Sequence, residues 1–468
     1  MSRRLQSALG VTFALALLAA CSTSSSNGAS VAVGPCYTPP VGTISGAGGT
    51  LHKFTCPNDP GANAFVFTVS GEVNAITGYP YPPYDPSQTW MVDGWNWKID
   101  KYIVVIDHIT LWTNPNTSTS NQALHGPEVA HVDGPFVVDL HKGGPLDGKG
   151  GGGEEALAIA ALANQNDNGG AAFDPTADYA FGFSTVSATY DAINVNLDAS
   201  EAADFASMVD NGYSVYYSGT ANWAGNQTGT SGFGGCSANP QTDVANGNQT
   251  CAVASTGAGD GGAGDAGDST CPAAYDFGQL PQQMLFQLGF STPTNYVNCV
   301  NYTLSQQIGM TVRGVQTSPS QSEAEQITVH MDHPFWESFE EDTPVHWDQI
   351  AAQYIGQTNP IAHTEDFKGV PFEPFTDKNG TVMPWHDCEP SMYTPPGNGA
   401  MSFSTLSVPV DPGGTCTGPV GQDAAKDDCK YIRDYYDFIR YTQSTQGHLN
   451  SQGLCYIDRQ YPAPAGGS

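Results

Sequence analysis

The sequence predicts a mainly β protein: a β-sandwich core with a few helices, stapled by disulfides and followed by a smaller helical C-terminal part. Three observations predict this class. Glycine (54) and proline (33) are abundant among the 468 residues, and they divide the chain into the short segments typical of strands and turns. Runs of β-branched and aromatic residues lie between them. The eleven cysteines are more than a reduced protein of ordinary composition carries.

The longest strand signal runs from Trp97 to Trp112. Its density of β-branched residues predicts burial on both faces over its middle. Shorter runs of the same character predict strands at 65–71, 136–141, 179–183, 193–197, 214–217, 284–290 and 327–331.

Three segments favour helices. The first, 154–164 (EEALAIAALAN), has two acids in its first turn, where they complement the helix dipole. The second, 199–209, follows a predicted cap at Asp198 and stops at Asn211-Gly212. The third, 424–443, places Tyr435 and Phe438 on one apolar face that would dock on a core.

The first residues form an export signal. Arg3 and Arg4 precede a short apolar run (8–18) that ends at Ala19-Ala20-Cys21, the layout of a secretory signal peptide. Leu18 to Cys21 resembles the lipobox of bacterial lipoproteins. That resemblance implies lipidation of Cys21 with acyl chains such as palmitate, and Ser22 implies anchoring in the outer membrane, facing the periplasm or the cell surface. An ordinary cleaved signal, with Cys21 in a disulfide, is the alternative.

Composition shifts divide the rest of the chain. Residues 1–20 are the predicted signal peptide and 21–35 a Ser-rich tether. Residues 36–335 are the predicted β-sandwich-like domain, with a Gly/Asn-rich insertion at about 224–275. Residues 336–468 are the predicted C-terminal region with helices.

The net negative charge of the chain argues against nucleic acid as a partner. The formal net charge is −31, and such a surface repels nucleic acid and anionic lipid. The expected partners are a membrane, reached through the lipid, and an exported redox or surface protein.

Ten cysteines remain beside Cys21, an even number that predicts up to five disulfides. No Cys-x-x-Cys occurs, which argues against thioredoxin chemistry and four-cysteine zinc sites. Spacing suggests local pairs such as Cys36 with Cys56 but does not fix the connectivity. The ten candidates are Cys36, Cys56, Cys236, Cys251, Cys271, Cys299, Cys388, Cys416, Cys429 and Cys455.

The densest group of metal-ligating residue types is HMDHPFWE, residues 330–337. Alternation along a strand would point His330 and Asp332 to one face, and Pro334 would end the strand. Imidazole and carboxylate together suit copper or zinc, whereas calcium is less expected because no EF-hand spacing occurs. A hydrogen-bonded structural corner is the alternative. The metal candidates are His330, Asp332, His333, Glu337, His346, His108 and His131, and His448 is a weaker one.

Binding is therefore favoured over catalysis. No Gly-x-Ser-x-Gly or His-Glu-x-x-His motif occurs, so a hydrolase has no sequence support. The second hypothesis is a surface-structural or adhesive lipoprotein whose exposed aromatics contact glycan or protein, although the same stretch could pack on the core. Those aromatics are Trp90, Trp95, Trp97, Tyr79, Tyr81 and Tyr84.

The order of several segments resembles the copper-binding β-sandwich proteins of the methanobactin-operon partner family. The segments are VSGE (69–72), IDHI (106–109), VVDL (137–140), DNGYSVY (210–216), LFQLG (285–289) and TVHMD (328–332). The resemblance spans about residues 63–335 and implies a copper-binding sandwich, exported beside dihaem peroxidase-like partners, with a tryptophan that the partner oxidises. The family usually has a paired-histidine segment where this chain has residues 286–289, which contain no histidine. The C-terminal hundred residues have no counterpart in the family.

Overall fold

The structure is a computed structural model of the chain and describes residues 43–81, 91, 95–116, 122–164, 171–223, 280–336, 345–370 and 434–461. The predicted signal peptide, tether and Gly/Asn-rich insertion lie outside these residues, as do Cys21 and Glu337. So do seven of the disulfide candidates: Cys36, Cys236, Cys251, Cys271, Cys388, Cys416 and Cys429.

Nineteen strands are described: β1 Ser45–Gly46, β2 Gly49–Thr50, β3 His52–Lys53, β4 Ala64–Ser70, β5 Trp95–Thr113, β6 Glu128–Val132, β7 Phe136–Asp139, β8 Leu146–Asp147, β9 Glu155–Leu162, β10 Tyr179–Thr185, β11 Ile193–Asn194, β12 Val215–Trp223, β13 Gln283–Phe290, β14 Thr294–Val297, β15 Ser322–Val329, β16 Ile361–His363, β17 Gly447–Leu449, β18 Gly453–Leu454 and β19 Tyr456–Arg459. The α-helices of the described residues are α1 Glu72–Thr77, α2 Ala202–Asn211, α3 Tyr302–Ile308, α4 Asp348–Ala351 and α5 Tyr435–Gln443.

Two large sheets confirm the predicted mainly β fold with a sandwich core. The larger sheet follows the order β16-β13-β12-β5-β10-β14-β19, with β3, β6, β7 and β11 attached beside it. The smaller has the order β18-β17-β15-β4-β9-β8. Their inner faces pack together, as when Phe67 of β4 meets Phe181 of β10 at 5.9 Å between ring centroids. The core is therefore an interdigitated layer between two sheets.

Strand β5 is buried on both faces in its middle, as the sequence predicted. Tyr102 and Val104 face the layer between the sheets. Ile103 and Val105 face the opposite side, where Phe205 of α2 covers them. A strand flanked by a sheet on one side and a helix on the other needs apolar residues at every position.

The helix predicted at 154–164 is wrong, because this segment forms β9. It pairs antiparallel with β4 and with β8. Alanine and leucine favour helices in isolation, but small apolar residues also fit a strand whose two faces are both buried. Tertiary pairing overrides the local preference here.

The second predicted helix is confirmed together with both of its ends. Asp198 and Glu201 form a capping box at the start of a 3-10 turn that leads into α2. At the other end Gly212 adopts a left-handed conformation, φ 65° and ψ 31°, and its N–H reaches back to the last carbonyls of the helix. The cap and the terminating glycine could both be predicted because each depends only on neighbouring residues.

Replacing Gly212 with alanine is expected to lower the free energy of unfolding by about 1 kcal/mol. A new Cβ would meet only Ser187 Oγ at 3.8 Å, so the cost comes from the left-handed backbone and not from a clash. Chemical denaturation measures it. Asp210→Ala, an exposed change in the same turn, should not lower stability. An equal loss in both variants would show that the glycine conformation is unimportant.

The C-terminal region supplies helices α4 and α5 and also completes both sheets. β16 pairs with β13 and β19 with β14 in the larger sheet, while β17 pairs with β15 in the smaller one. A disulfide between Cys299 and Cys455 links this region to the body. Cys56 also takes part in a disulfide, whose other half lies outside the described residues. Within the described part, the disulfide with both halves visible is long-range and not one of the local pairs that spacing suggested.

Candidate metal centre

Three histidines lie close together at the end of β15 and on β17 in the smaller sheet. Strand β15 ends at Val329, and His330 follows it directly. A 3-10 turn, His333–Phe335, then folds the chain back so that His333 faces His330. His448 lies on β17, paired in register with Thr328. Strand pairing thus fixes the position of His448 beside the end of β15, and the 3-10 turn places His333.

One nitrogen from each of these three rings lies within 4.8 Å of the others, and all three residues are buried. His330 and His448 stack at 3.9 Å between ring centroids with 8° between planes. His333 stands across the stack, 5.4 Å from His330 and 5.3 Å from His448. We call His330, His333 and His448 the histidine trio.

Hydrogen bonds fix the tautomers of two of the rings. The single hydroxyl proton of Thr445 goes to the Thr442 carbonyl at 2.7 Å. Its oxygen must therefore accept from His333 Nδ1–H at 2.6 Å, which leaves the lone pair of His333 on Nε2. His330 Nε2 lies 3.0 Å from the Ser451 carbonyl and 3.3 Å from a Glu72 oxygen. Both are acceptors, so His330 carries its proton on Nε2 and its lone pair on Nδ1.

The buried lone pairs of two trio members are left without hydrogen bonds. His333 Nε2 has no hydrogen-bond partner, and neither ring nitrogen of His448 has one of normal geometry, although backbone groups of Thr445 and Gln452 lie near that ring. Buried polar atoms are normally satisfied, so such orphans need an explanation. Buried ring nitrogens that converge without hydrogen bonds are typical of a metal-binding pocket.

Burial also keeps two of the rings neutral. It lowers the pKa of His333 well below its ordinary value, and the charges of His330 and His448 lower it further. Burial lowers the pKa of His448 in the same way, with His330 adding to the effect. Neutral imidazole is the metal-binding form. These two rings therefore do not have to lose a proton at physiological pH before they bind.

Two strained residues line the outer side of the trio. Glu72 has φ 63° and Ser451 has φ 78°, a region that L-residues seldom occupy. Glu72 brings its carboxylate, and Ser451 its carbonyl, to His330. The side chain of Glu72 is 22% exposed and that of His330 only 6%, so Glu72 is the more exposed member of this pair.

The structure brings together only part of the predicted ligand set. His330 and His333 converge, but Asp332 does not join them: β15 ends before it, and its Oδ2 accepts from Trp336 Nε1 at 3.3 Å. His346 is buried beside Phe335, to whose carbonyl its backbone N–H donates, and is not in the trio. His108 and His131 lie on β5 and β6 in the larger sheet, at a separate place. Glu337 lies outside the described residues.

Sequence reasoning ranked His448 too low and missed Glu72. Neither had a usable local signal. His448 reaches the site through the β15–β17 pairing, and Glu72 reaches it through α1, which follows β4. A histidine on a short strand far along the chain shows its partners only when the sheet order is known.

Four of the six aromatics in the adhesive hypothesis lie in the core. Tyr79, Trp95 and Trp97 are 0% exposed and Tyr81 is 7% exposed. The ring of Trp97 stacks on Phe286 at 4.3 Å. The expectation that these four side chains are exposed is therefore wrong, and the alternative of packing on the core is confirmed for them. Trp90 and Tyr84 lie outside the described residues.

The turn that carries Ser451 depends on a buried acid, Glu325, whose Oε2 accepts from Asn450 Nδ2 at 2.6 Å. Burial raises the pKa of Glu325 to about 7, and the charge of Lys149 opposes this in part. Because the folded protein holds this proton more tightly than the unfolded chain, the group stabilises the fold below about pH 4.5. That contribution is lost as the pH rises through about 7.

Replacing Glu325 with glutamine should remove that loss. Between about pH 4.5 and pH 8, wild type is expected to lose up to about 3 kcal/mol of unfolding free energy relative to the variant. Denaturation curves at several pH values measure the difference. Glu155→Gln, a change at an exposed residue of β9, should follow wild type. Parallel pH profiles for wild type and Glu325→Gln would contradict the prediction.

Comparison with known proteins adds no relative: no protein-family model, curated protein or solved structure matches the chain. The resemblance stated from the sequence therefore stays a prediction. Among the described helices, none has the length and apolar character needed to cross a membrane.

Proposed function

We propose that the protein is an outer-membrane lipoprotein, anchored through lipid on Cys21, whose β-sandwich body binds one copper ion at the histidine trio. The observation that carries the metal site is the convergence of three buried imidazoles, two of them with ring nitrogens that lack hydrogen bonds of normal geometry. A purely structural corner would be expected to satisfy those nitrogens. A metal ion would satisfy them by accepting the lone pairs.

The donor set favours copper over the other metals considered. Three imidazole nitrogens suit copper and zinc, whereas calcium requires oxygen ligands. An imidazole binds a metal in its neutral form, so the three trio ligands would supply no negative charge. Because the cost of burying an ion rises steeply with its charge, monovalent copper suits this interior better than divalent zinc. The nearby Glu72 carboxylate supplies one compensating negative charge.

The surroundings of the site would also favour entry of a metal ion from solution. Glu72 is the partly exposed group next to His330, and the chain as a whole carries a net charge of −31. An acidic surface concentrates cations around it, and a carboxylate at the entrance offers them a first ligand. The partner we propose is an exported redox or surface protein that delivers or takes the metal. Nucleic acid is not a proposed partner.

The anchor is supported by the N-terminal residues alone. A positive start, a short apolar run and Ala19-Ala20-Cys21 together favour lipid attachment. Two or three acyl chains would hold the body on the membrane durably.

Elemental analysis of the mature protein tests the proposal. After loading with Cu⁺ under reducing conditions and removal of excess metal, one copper per chain is expected, with zinc displaced in competition. His330→Ala and His333→Ala should each reduce copper to background. His52→Ala, at an exposed histidine of β3, is the matched control and should keep full loading. Stoichiometric copper retained in both trio variants would overturn the site.

A further inference from the structure

A second group of metal-ligating side chains lies on the larger sheet, apart from the histidine trio. Asp107, His108 and Asp133 offer ligand atoms within 4.8 Å of one another, and His131 lies next to them. Here the side chains are mainly exposed: 63% for His108, 59% for Asp133 and 40% for His131. We infer that this surface group, Asp107, His108, His131 and Asp133, binds a divalent transition metal of the zinc type.

Strand register brings these residues together. β5 and β6 pair antiparallel, with Ile109 opposite Val132 and Thr110 opposite His131. Continuing this register places His108 opposite Asp133. Asp133 directly follows β6 and contacts the rings of both His108 and His131. The geometry of the sheet, not flexible loops, sets their spacing.

Asp133 lies between the two imidazoles. Its Oδ1 is 3.0 Å from His108 Nδ1, and its Oδ2 is 3.5 Å from His131 Nε2. A metal ion could replace the proton in such a contact, since it needs the same lone pairs. The imidazole of His108 and the carboxylates of Asp107 and Asp133 form a donor set that can bind Zn²⁺, with His131 beside it.

The flanking carboxylates orient this set. Glu128 Oε1 lies 2.7 Å from His131 Nδ1, an arrangement that turns Nε2 towards Asp133, as second carboxylates do around zinc histidines. Asp107 Oδ1 accepts from the backbone N–H of His108 at 2.8 Å and of Gly134 at 2.7 Å. This holds the other oxygen of Asp107 on the side of His108, 3.9 Å from its Nε2.

A strained backbone places His108 in the group. Between Gly182 and Ser184 the pairing of β10 with β5 shifts by one residue, which makes His108 part of a β-bulge. Its φ is 47°, a conformation in which glycine would be favoured and histidine is disfavoured. The inference itself rests on the convergence of the ligand atoms of Asp107, His108 and Asp133.

His108→Gly separates the ligand from the backbone strain. The glycine relieves the left-handed conformation, so the apo variant should have a Tm equal to or above that of wild type. The same variant should weaken Zn²⁺ binding at least tenfold. If the role of His108 were only structural, its replacement would not combine an unchanged or raised Tm with weakened Zn²⁺ binding. His131→Ala and Asp133→Asn should weaken binding to a similar extent.

The titration is made with Zn²⁺ alone on the mature full chain, in a His448→Leu background that removes one ligand of the trio. Isothermal titration should give one zinc per chain, and Co²⁺ substitution should give the d–d absorption of a low-coordinate site that disappears in His108→Gly. His363→Ala is the matched control, since His363 is also exposed and lies 3.5 Å from a carboxylate, Asp366. It should bind zinc as its parent does.

Three results would overturn the inference. The first is no zinc binding in the His448→Leu background. The second is binding that His108→Gly, His131→Ala and Asp133→Asn leave unchanged. The third is binding that His363→Ala weakens as much as they do. Because the background lacks one ligand of the trio, failure here and failure of the proposed copper site are seen in different proteins.

Discussion

Replacing His448 with leucine should make the metal-free protein more stable and should abolish its stabilisation by copper. His448 is 0% exposed, and neither of its ring nitrogens has a hydrogen bond of normal geometry, although backbone groups of Thr445 and Gln452 lie near the ring. Each buried polar group left unsatisfied costs about 1–3 kcal/mol. Leucine fills a similar space without polar atoms. The free energy of unfolding of the apo protein should therefore rise by about 1–3 kcal/mol.

Copper should reverse the order of stability, so that wild type becomes more stable than His448→Leu. A ligand that binds only the folded state stabilises it by about 2.7 kcal/mol at a free concentration one hundred times its Kd. Wild type should gain this amount, whereas His448→Leu should gain nothing measurable. Urea unfolding with and without Cu⁺ measures both effects in one experiment.

The matched control is His141→Leu. This histidine is partly buried and has a hydrogen bond, its Nδ1 lying 2.8 Å from the Ala75 carbonyl. Its loss should lower apo stability and leave the copper effect intact. If His448→Leu behaves as His141→Leu does, the histidine trio is a structural corner and the proposed copper site is wrong.

Removing the disulfide between Cys299 and Cys455 is expected to lower the free energy of unfolding by about 5 kcal/mol. The two residues are separated by 156 positions, and in the chain-entropy model a loop of that length gives about this effect. Cys299 follows β14 of the larger sheet, while Cys455 lies between β18 and β19. The bond therefore holds the hairpin that carries His448 against the body, and copper affinity should fall as well.

A double-mutant cycle distinguishes the cross-link from simple packing. Cys299→Ala, Cys455→Ala and the double variant should all lose about the same amount, because one change already removes the bond. Denaturation under non-reducing conditions gives the three values. Losses that add in the double variant would show that the two side chains stabilise the fold separately and that the covalent link contributes little.

Local features of the fold could be read from the sequence, and non-local ones could not. The β5 run and the ends of α2 were predicted because their residues carry the information themselves. The segment 154–164 was misread because an alanine-rich run has a helical preference in isolation. Its strand conformation depends on β4 and β8, which lie elsewhere in the chain.

The same division applies to the candidate site. His330 and His333 were predicted from their spacing, and the 3-10 turn His333–Phe335 lies where Pro334 was expected to end the strand. His448 and Glu72 come from other elements, and their approach depends on the order of strands in the smaller sheet. Sequence spacing can indicate a metal-binding segment, but it cannot supply ligands that arrive through sheet pairing.

The place of β17 in the smaller sheet has a consequence for the order in which the site is made. A chain that emerges N-terminus first presents β4, β9 and β15 before β17, and so it holds His330 and His333 before His448 exists in the fold. Until β17 pairs with β15, two ligands are present and the third is absent. The proposed copper site is thus completed late, after nearly all the described strands have been made. A chain arrested or cleaved before that point would release the ion, so metal retention would report that folding had finished.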